Sequence, residues 1–89
     1  MPTRTLEIVN EKGLHARASA KFVETVERFD ARAQVRRDGL EASGDSIMGM
    51  LMLAAARGST IEVETSGPDA DPLMKALAEL VADFFGEGM

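Results

Sequence analysis

The chain has 89 residues, with 45% apolar and 28% charged side chains, so we predict one globular domain over residues 1–89 around a single small core. Fifteen acidic against ten basic residues give a net charge of −5, which argues against a broad surface for nucleic acid or an anionic membrane. Because cysteine is absent, disulfides and thiolate chemistry are excluded, and no apolar tract approaches the ~20 residues that span a bilayer. We expect a cytoplasmic monomer that binds neither nucleic acid nor membrane.

The first half of the chain predicts a strand, a helix and a hairpin. Apolar and polar residues alternate over residues 3–9, which is the pattern of a half-buried strand. Apolar residues then recur at spacings of three and four over about 16–28, which indicates an amphipathic helix. A second alternation over 31–42 is interrupted by Asp38 and Gly39, a pair that tolerates the positive φ angles of a tight hairpin turn.

The second half predicts a helix, a strand and a helix. Leucine, methionine and alanine dominate residues 47–56, which favours a short helix that stops near Gly58. Alternation over 60–65 indicates a fourth strand. Pro72 suits the first turn of a third helix that ends near Gly86. The apolar stripe of this helix comprises Leu73, Leu77, Leu80, Val81 and Phe84.

The element order is therefore strand, helix, strand, strand, helix, strand, helix. The hairpin favours antiparallel pairing, and the polar side of each strand indicates that helices cover one face of the sheet. We predict an α+β open-faced two-layer sandwich in which three helices cover one face of a four-stranded antiparallel sheet.

The stretch GLHARAS places the one histidine of the chain, His15, directly before the predicted first helix. The first N–H groups of a helix lack partners and carry partial positive charge, so a phosphoryl group on the ring would be held by Ala16, Arg17 and Ala18. We expect the same positive end to favour a neutral, nucleophilic ring. The Arg17 guanidinium can reach a phosphate oxygen, while Lys12 and Lys21 add positive potential. Which ring nitrogen reacts is not decided by the sequence.

Other interpretations of these residues remain open from spacing alone. His15 can be a polar residue at a helix start, with Arg17 a solvated side chain. A metal site is disfavoured, because no second histidine and no cysteine complete a ligand set, and no cofactor is indicated. A hydrolase triad is unsupported, since Ser19 lies one helical turn from His15 but nothing indicates an oxyanion hole.

GLHARAS, with its spacing to DSIMGMLMLAA and GSTIEV, resembles the histidine-containing phosphocarrier (HPr) family of the bacterial phosphotransferase system over nearly the whole chain. The resemblance implies a covalent carrier rather than a turnover enzyme, in which His15 accepts a phosphoryl group from enzyme I and passes it to IIA-type proteins. It also implies that Arg17 contacts the phosphohistidine. The family usually has proline and alanine next, whereas this chain has Ala18 and Ser19, which puts the local stiffness of the site in doubt.

Ser46 directly precedes the predicted second helix. Its pattern predicts an N-cap, although Gly49 stands where a capping box would need Glu or Gln. The resemblance implies a further role, because HPr kinase/phosphorylase modifies the matching serine in some bacteria. A phosphate at a helix start is favoured by the helix dipole, and its charge would change partner docking.

The predicted second helix has too little polar face for all its apolar side chains to be buried. Flexible methionines suit a surface that meets several partners, while ordinary core packing is the plain alternative for about half of these residues. The predicted partner-binding residues are Lys12, Lys21, Ile47, Met48, Gly49, Leu51 and Met52.

Three functional hypotheses remain. The first is a phosphocarrier of sugar uptake or of a nitrogen-type branch. The second is a regulatory module of the nitrogen type that acts through phosphorylation-dependent partner binding. The third is a structural adaptor without phosphate chemistry, which the pair of His15 and Arg17 disfavours.

Overall fold

The computed structural model describes residues 2–87. Its elements in chain order are β1 (Thr3–Glu7), α1 (Ala16–Glu27), β2 (Arg32–Arg37), β3 (Leu40–Ser43), α2 (Ile47–Met52), β4 (Thr60–Ser66), α3 (Ala70–Ala82) and a terminal 3₁₀ turn (Phe84–Gly86). The predicted order of strands and helices is confirmed. Within the described range, no helix combines the length and apolarity that crossing a membrane requires.

The four strands form one sheet in the order β1-β4-β2-β3, and every neighbouring pair is antiparallel. Leu6 pairs with Ile61, and Val35 lies between Val63 and Ala42, so buried side chains align across the strands. The helices pack on this apolar face. The predicted α+β open-faced sandwich is confirmed.

The hairpin between β2 and β3 turns where the sequence predicted. Asp38 and Gly39 have φ angles of 49° and 82°, which are the positive values that a tight two-residue turn needs. On the polar face of the sheet, Arg36 of β2 donates hydrogen bonds to three carboxylates from β3 and β4, those of Glu41, Glu62 and Glu64. These exposed ion pairs contribute little stability individually.

The second helix is shorter than predicted, because α2 ends at Met52 rather than continuing to residue 56. Leu53 caps it, Ala54 has a left-handed φ of 52°, and the chain then turns inward so that Ala55 is buried. The Arg37 guanidinium donates to the Leu53 carbonyl at 3.0 Å, which satisfies an acceptor at the helix end. Tertiary contacts thus override the helical preference of the alanines.

The third helix also differs from the prediction at its end. α3 stops at Ala82, and Phe84 lies beyond it, half-buried, with a φ of 58°. This reversal carries Phe85, which the predicted stripe omitted, into the core with no exposed surface. The Lys21 ammonium donates to the Phe85 carbonyl at 2.9 Å and ties the terminal turn to α1.

Candidate functional site

His15 occupies the N-cap of α1, as the sequence predicted. Its backbone is extended (φ −80°, ψ −177°), and its Nδ1 accepts a hydrogen bond from the Arg17 N–H at 3.2 Å. The helix begins at Ala16. The side chain is 25% exposed, so a ring positioned by the helix end remains accessible from solvent.

The loop before His15 is fixed against the segment that follows α2. The Leu14 N–H donates to the Ala55 carbonyl at 2.9 Å. Gly13 is buried with a φ of +66°, and a Cβ there would lie 2.6 Å from the same carbonyl oxygen. Glycine at this position therefore allows a close approach between two segments of the chain.

The predicted phosphate-holding residues in the first turn of α1 differ in exposure. Ala16 and Arg17 are exposed, whereas the Ala18 methyl group is fully buried. Ser19 is also fully buried, and its hydroxyl lies 3.4 Å from the Leu14 carbonyl as a donor. Its hydrogen bond is therefore directed away from the His15 ring, and no triad is formed with Ser19.

A cleft of about 190 Å³ adjoins the site and is lined by Glu11, Lys12, Arg17 and Glu87. Two of the three predicted cations, Lys12 and Arg17, thus meet beside His15. The third is not among them, because the Lys21 ammonium binds the carbonyl of Phe85. Lys21 stays a predicted partner-surface residue, and the bond to Phe85 engages one of the three donors of its ammonium group.

Glu87 is a site residue that sequence reasoning missed. Its Oε2 lies 2.5 Å from His15 Nε2, and its Oε1 accepts a hydrogen bond from Asn10 at 2.9 Å. Burial opposes ionisation of Glu87, but the hydrogen bonds from Asn10 and His15, with the nearby charge of Arg17, hold its pKa below the ordinary value. No local pattern signals this contact, because 72 positions separate the two residues.

Ser46 caps α2, which confirms the structural prediction. Its hydroxyl accepts the Gly49 N–H at 3.0 Å, and its backbone is extended with a φ of −113°. A Cβ at Gly49 would lie 3.1 Å from both the Ala42 methyl group and the Ser46 hydroxyl. Glycine therefore lets α2 pack closely on β3 and leaves the cap intact.

The exposed side of α2 is apolar. Met48 is 68% exposed, Met52 73% and Ile47 42%, whereas Leu51 is half-buried and Met50 is fully buried. The expectation that part of the apolar side chains of this helix stays exposed is confirmed. Within residues 2–87, no group of three or more histidine, cysteine, aspartate or glutamate side chains is arranged to hold a metal ion.

Comparison with known proteins matches these features to one family. The family model described as PTS HPr component phosphorylation site covers residues 2–83. The chain is 47% identical over 88 residues to phosphocarrier protein HPr of Neisseria meningitidis serogroup A, with 99% of both chains covered. It is 40% identical over 85 residues to phosphocarrier protein NPr of Escherichia coli K12, with 94% of both covered. A crystal structure of HPr from Thermoanaerobacter tengcongensis matches with a TM-score of 0.94 at 36% identity, and all of both chains is covered. The chain therefore belongs to the HPr family, the phosphocarrier proteins of the phosphotransferase system.

Proposed function

We propose that His15 is the residue that carries the phosphoryl group, accepting it from a phosphohistidine of enzyme I and passing it to a IIA-type protein. The observation that carries this proposal is the placement of the ring, with Nδ1 against the Arg17 N–H in the first turn of α1. Such N–H groups favour an anion, so they would hold the phosphoryl oxygens.

The two ring nitrogens of His15 have different partners, which supports Nδ1 as the nucleophile. Because Nδ1 accepts the Arg17 N–H, a neutral ring carries its proton on Nε2, where Glu87 accepts it. The Nδ1 lone pair would then attack phosphorus in line while the bond from phosphorus to the donor nitrogen breaks. Partner docking supplies the alignment of the two histidines.

The surrounding residues support charge compensation for the phosphoryl group. Lys12 and Arg17 line the adjoining cleft, and the guanidinium can bind two phosphoryl oxygens. Backbone groups of Ala16 and Ala18 in the first turn would add to the positive end of α1. We expect the alanine at position 18, in place of the family proline, to leave transfer intact.

We further propose that enzyme I and IIA-type proteins dock on the exposed side chains of α2 together with the cleft. The exposed apolar side chains of α2 are Ile47, Met48 and Met52. α2 packs against α1, the helix that begins after His15. Leu51 and Gly49 are only partly accessible, so they would contribute at the base of this surface. Unbranched methionines adapt to several partner shapes.

Ser46 is proposed as a regulatory phosphorylation site for an HPr kinase/phosphorylase. The hydroxyl is half-buried and already accepts a backbone hydrogen bond at the start of α2. A phosphate there would keep this acceptor role and add negative charge next to the α2 surface. Docking of a partner with an acidic face would weaken.

A second candidate is a carrier of the nitrogen-type branch that acts mainly through regulatory binding, and the NPr relative favours it. In either branch we propose a cytoplasmic monomer. Transfer to purified IIA proteins of the sugar and nitrogen types separates the two, because the preferred acceptor identifies the branch.

The test of the proposed function is labelling by phosphoenolpyruvate and enzyme I. We expect His15→Ala to abolish labelling and Arg17→Ala to slow transfer at least about tenfold, because a charge-assisted contact to the phosphoryl group is lost. Arg32→Ala is the matched control, since Arg32 is an exposed arginine in β2, outside the site. Labelling of His15→Ala at the parental level, or acid-stable labelling of the parent, would refute the proposal.

A further inference from the structure

The carboxylate of Glu87, 72 positions after His15, contacts the His15 ring. Glu87 Oε2 lies 2.5 Å from Nε2, and the Glu87 side chain is only 12% exposed. The opposite ring nitrogen faces the Arg17 N–H. The ring is therefore held from both sides, with an acceptor at Nε2 and a donor at Nδ1.

Glu87 is itself fixed by a buried amide. Asn10 has no exposed surface, and its Nδ2 donates to Glu87 Oε1 at 2.9 Å and to the Gly13 carbonyl at 2.8 Å. Because both partners are acceptors, the orientation of the amide is determined. The Asn10 Oδ1 has no hydrogen-bond partner within residues 2–87. A buried unpaired oxygen costs free energy, so packing alone does not account for this amide.

The terminal turn delivers Glu87 to this position through an unusual backbone. Phe84 and Phe85 both have positive φ angles, of 58° and 52°, which bulky residues rarely adopt. Burial of the Phe85 ring and the hydrogen bond from Lys21 to its carbonyl hold this backbone in place. Strain of this kind persists where the surrounding structure stabilises it, often at functional sites.

We propose that Glu87 is a positioning residue for phosphoryl transfer, an inference that rests on the proposed role of His15. Glu87 keeps the proton on Nε2, so Nδ1 stays unprotonated and can attack once the Arg17 N–H moves from Nδ1 to a phosphoryl oxygen. When the Nδ1–phosphorus bond forms, the electron pair of the breaking phosphorus–nitrogen bond goes to the donor ring. The Nε2 proton stays on His15, so the phosphorylated ring becomes cationic and the Glu87 carboxylate balances its charge.

The charges around Glu87 favour its ionised form. Burial opposes ionisation, yet the hydrogen bonds from Asn10 and His15 and the charge of Arg17 lower the pKa from its usual value of about 4.5. Glu11 and Lys12 line the same cleft with opposite charges. Because the folded-state pKa is lowered, the contact stabilises the fold above pH 4.5 and this contribution is lost as the pH falls through the pKa of folded Glu87.

The test compares Glu87→Gln with the control Glu27→Gln, which removes the same charge at the exposed C-terminal end of α1. Glutamine keeps the size of the side chain but can donate or accept at Nε2, so only the Arg17 N–H at Nδ1 still favours the Nε2–H tautomer. We expect ¹⁵N NMR of the neutral, unphosphorylated His15 ring to show Nε2–H in the parent and control, and a shift towards Nδ1–H in Glu87→Gln. Transfer from enzyme I is expected to slow about tenfold or more in Glu87→Gln, and less than about twofold in the control.

Two results would overturn the inference, namely an unchanged Nε2–H tautomer in Glu87→Gln or a transfer rate equal to that of Glu27→Gln.

Urea unfolding at pH 7 and pH 3 provides an independent readout. The stability difference between the parent and Glu87→Gln should shrink at the lower pH, and a difference that does not shrink contradicts the proposed contact of the ionised Glu87 carboxylate. Failure of the proposed function would be seen separately, as undiminished labelling of His15→Ala.

Discussion

At the scale of single residues, Gly13 determines where the His15 ring is presented. The loop passes so close to Ala55 that a side chain at position 13 would contact the carbonyl oxygen bound by Leu14. Any shift of this contact moves the start of α1 and with it the N–H groups that face the ring. The geometry of the site thus depends on a residue that carries no functional group.

We predict that Gly13→Ala destabilises the protein by at least about 2 kcal/mol, because strain at positive φ adds to steric overlap. Gly39→Ala is the matched control, since its φ is +82° but no atom lies within 4 Å of the added Cβ. There we expect a loss of about 1 kcal/mol from φ alone. Urea unfolding measures the free energy of unfolding of both variants. Equal losses would show that the close contact with Ala55 does not affect stability.

The roles of individual residues were predictable where their partners are close in sequence. His15 and Ser46 were placed as helix caps from the pattern of the few residues around each, and both cap predictions are confirmed. Glu87 and Asn10 were not predicted to lie at the site, because their contacts join the two ends of the chain. The bond from the Lys21 ammonium to the Phe85 carbonyl was not predicted either, because 64 positions separate the two residues.

At the scale of elements, α2 combines a polar cap with an exposed apolar side. The helix has six residues and ends at Met52, just before Ala54 turns the chain inward. Met48 and Met52 remain exposed on this short helix. The predicted extension to residue 56 was wrong because alanine-rich composition favours helix only when no tertiary contact competes. Here burial of Leu53 and Ala55 competes successfully.

For Ser46 we predict that charge, rather than loss of the cap, controls transfer. Ser46→Asn and Ser46→Asp both provide a capping oxygen for the Gly49 N–H, so both should stay within about 0.5 kcal/mol of the parent, whereas Ser46→Ala should lose about 1 kcal/mol. Transfer from enzyme I should slow several-fold in Ser46→Asp and remain unchanged in Ser46→Asn. Equal rates for the Asp and Asn variants in a stopped-flow transfer assay would argue against electrostatic regulation.

At the scale of the whole molecule, the sheet and its covering helices followed from periodicity. Alternation fixed the buried sides of the strands, and the inward residues Leu6, Val35, Ala42, Ile61 and Val63 align across the strands as expected. The strand order and the return of the terminal turn to α1 depend on contacts between distant segments, which a period along the chain does not encode. The His15 ring lies where these distant segments meet.

Transfer through Nδ1 of His15 is tested most directly by locating the phosphoryl group by NMR. The ¹⁵N-labelled protein would be phosphorylated with phosphoenolpyruvate and enzyme I, and the ¹⁵N shifts and coupling to ³¹P would be measured for the His15 ring. We predict phosphorus bonded to Nδ1 with a proton retained on Nε2. A phosphoryl group on Nε2, or on any residue other than His15, would contradict the proposed role of the ring.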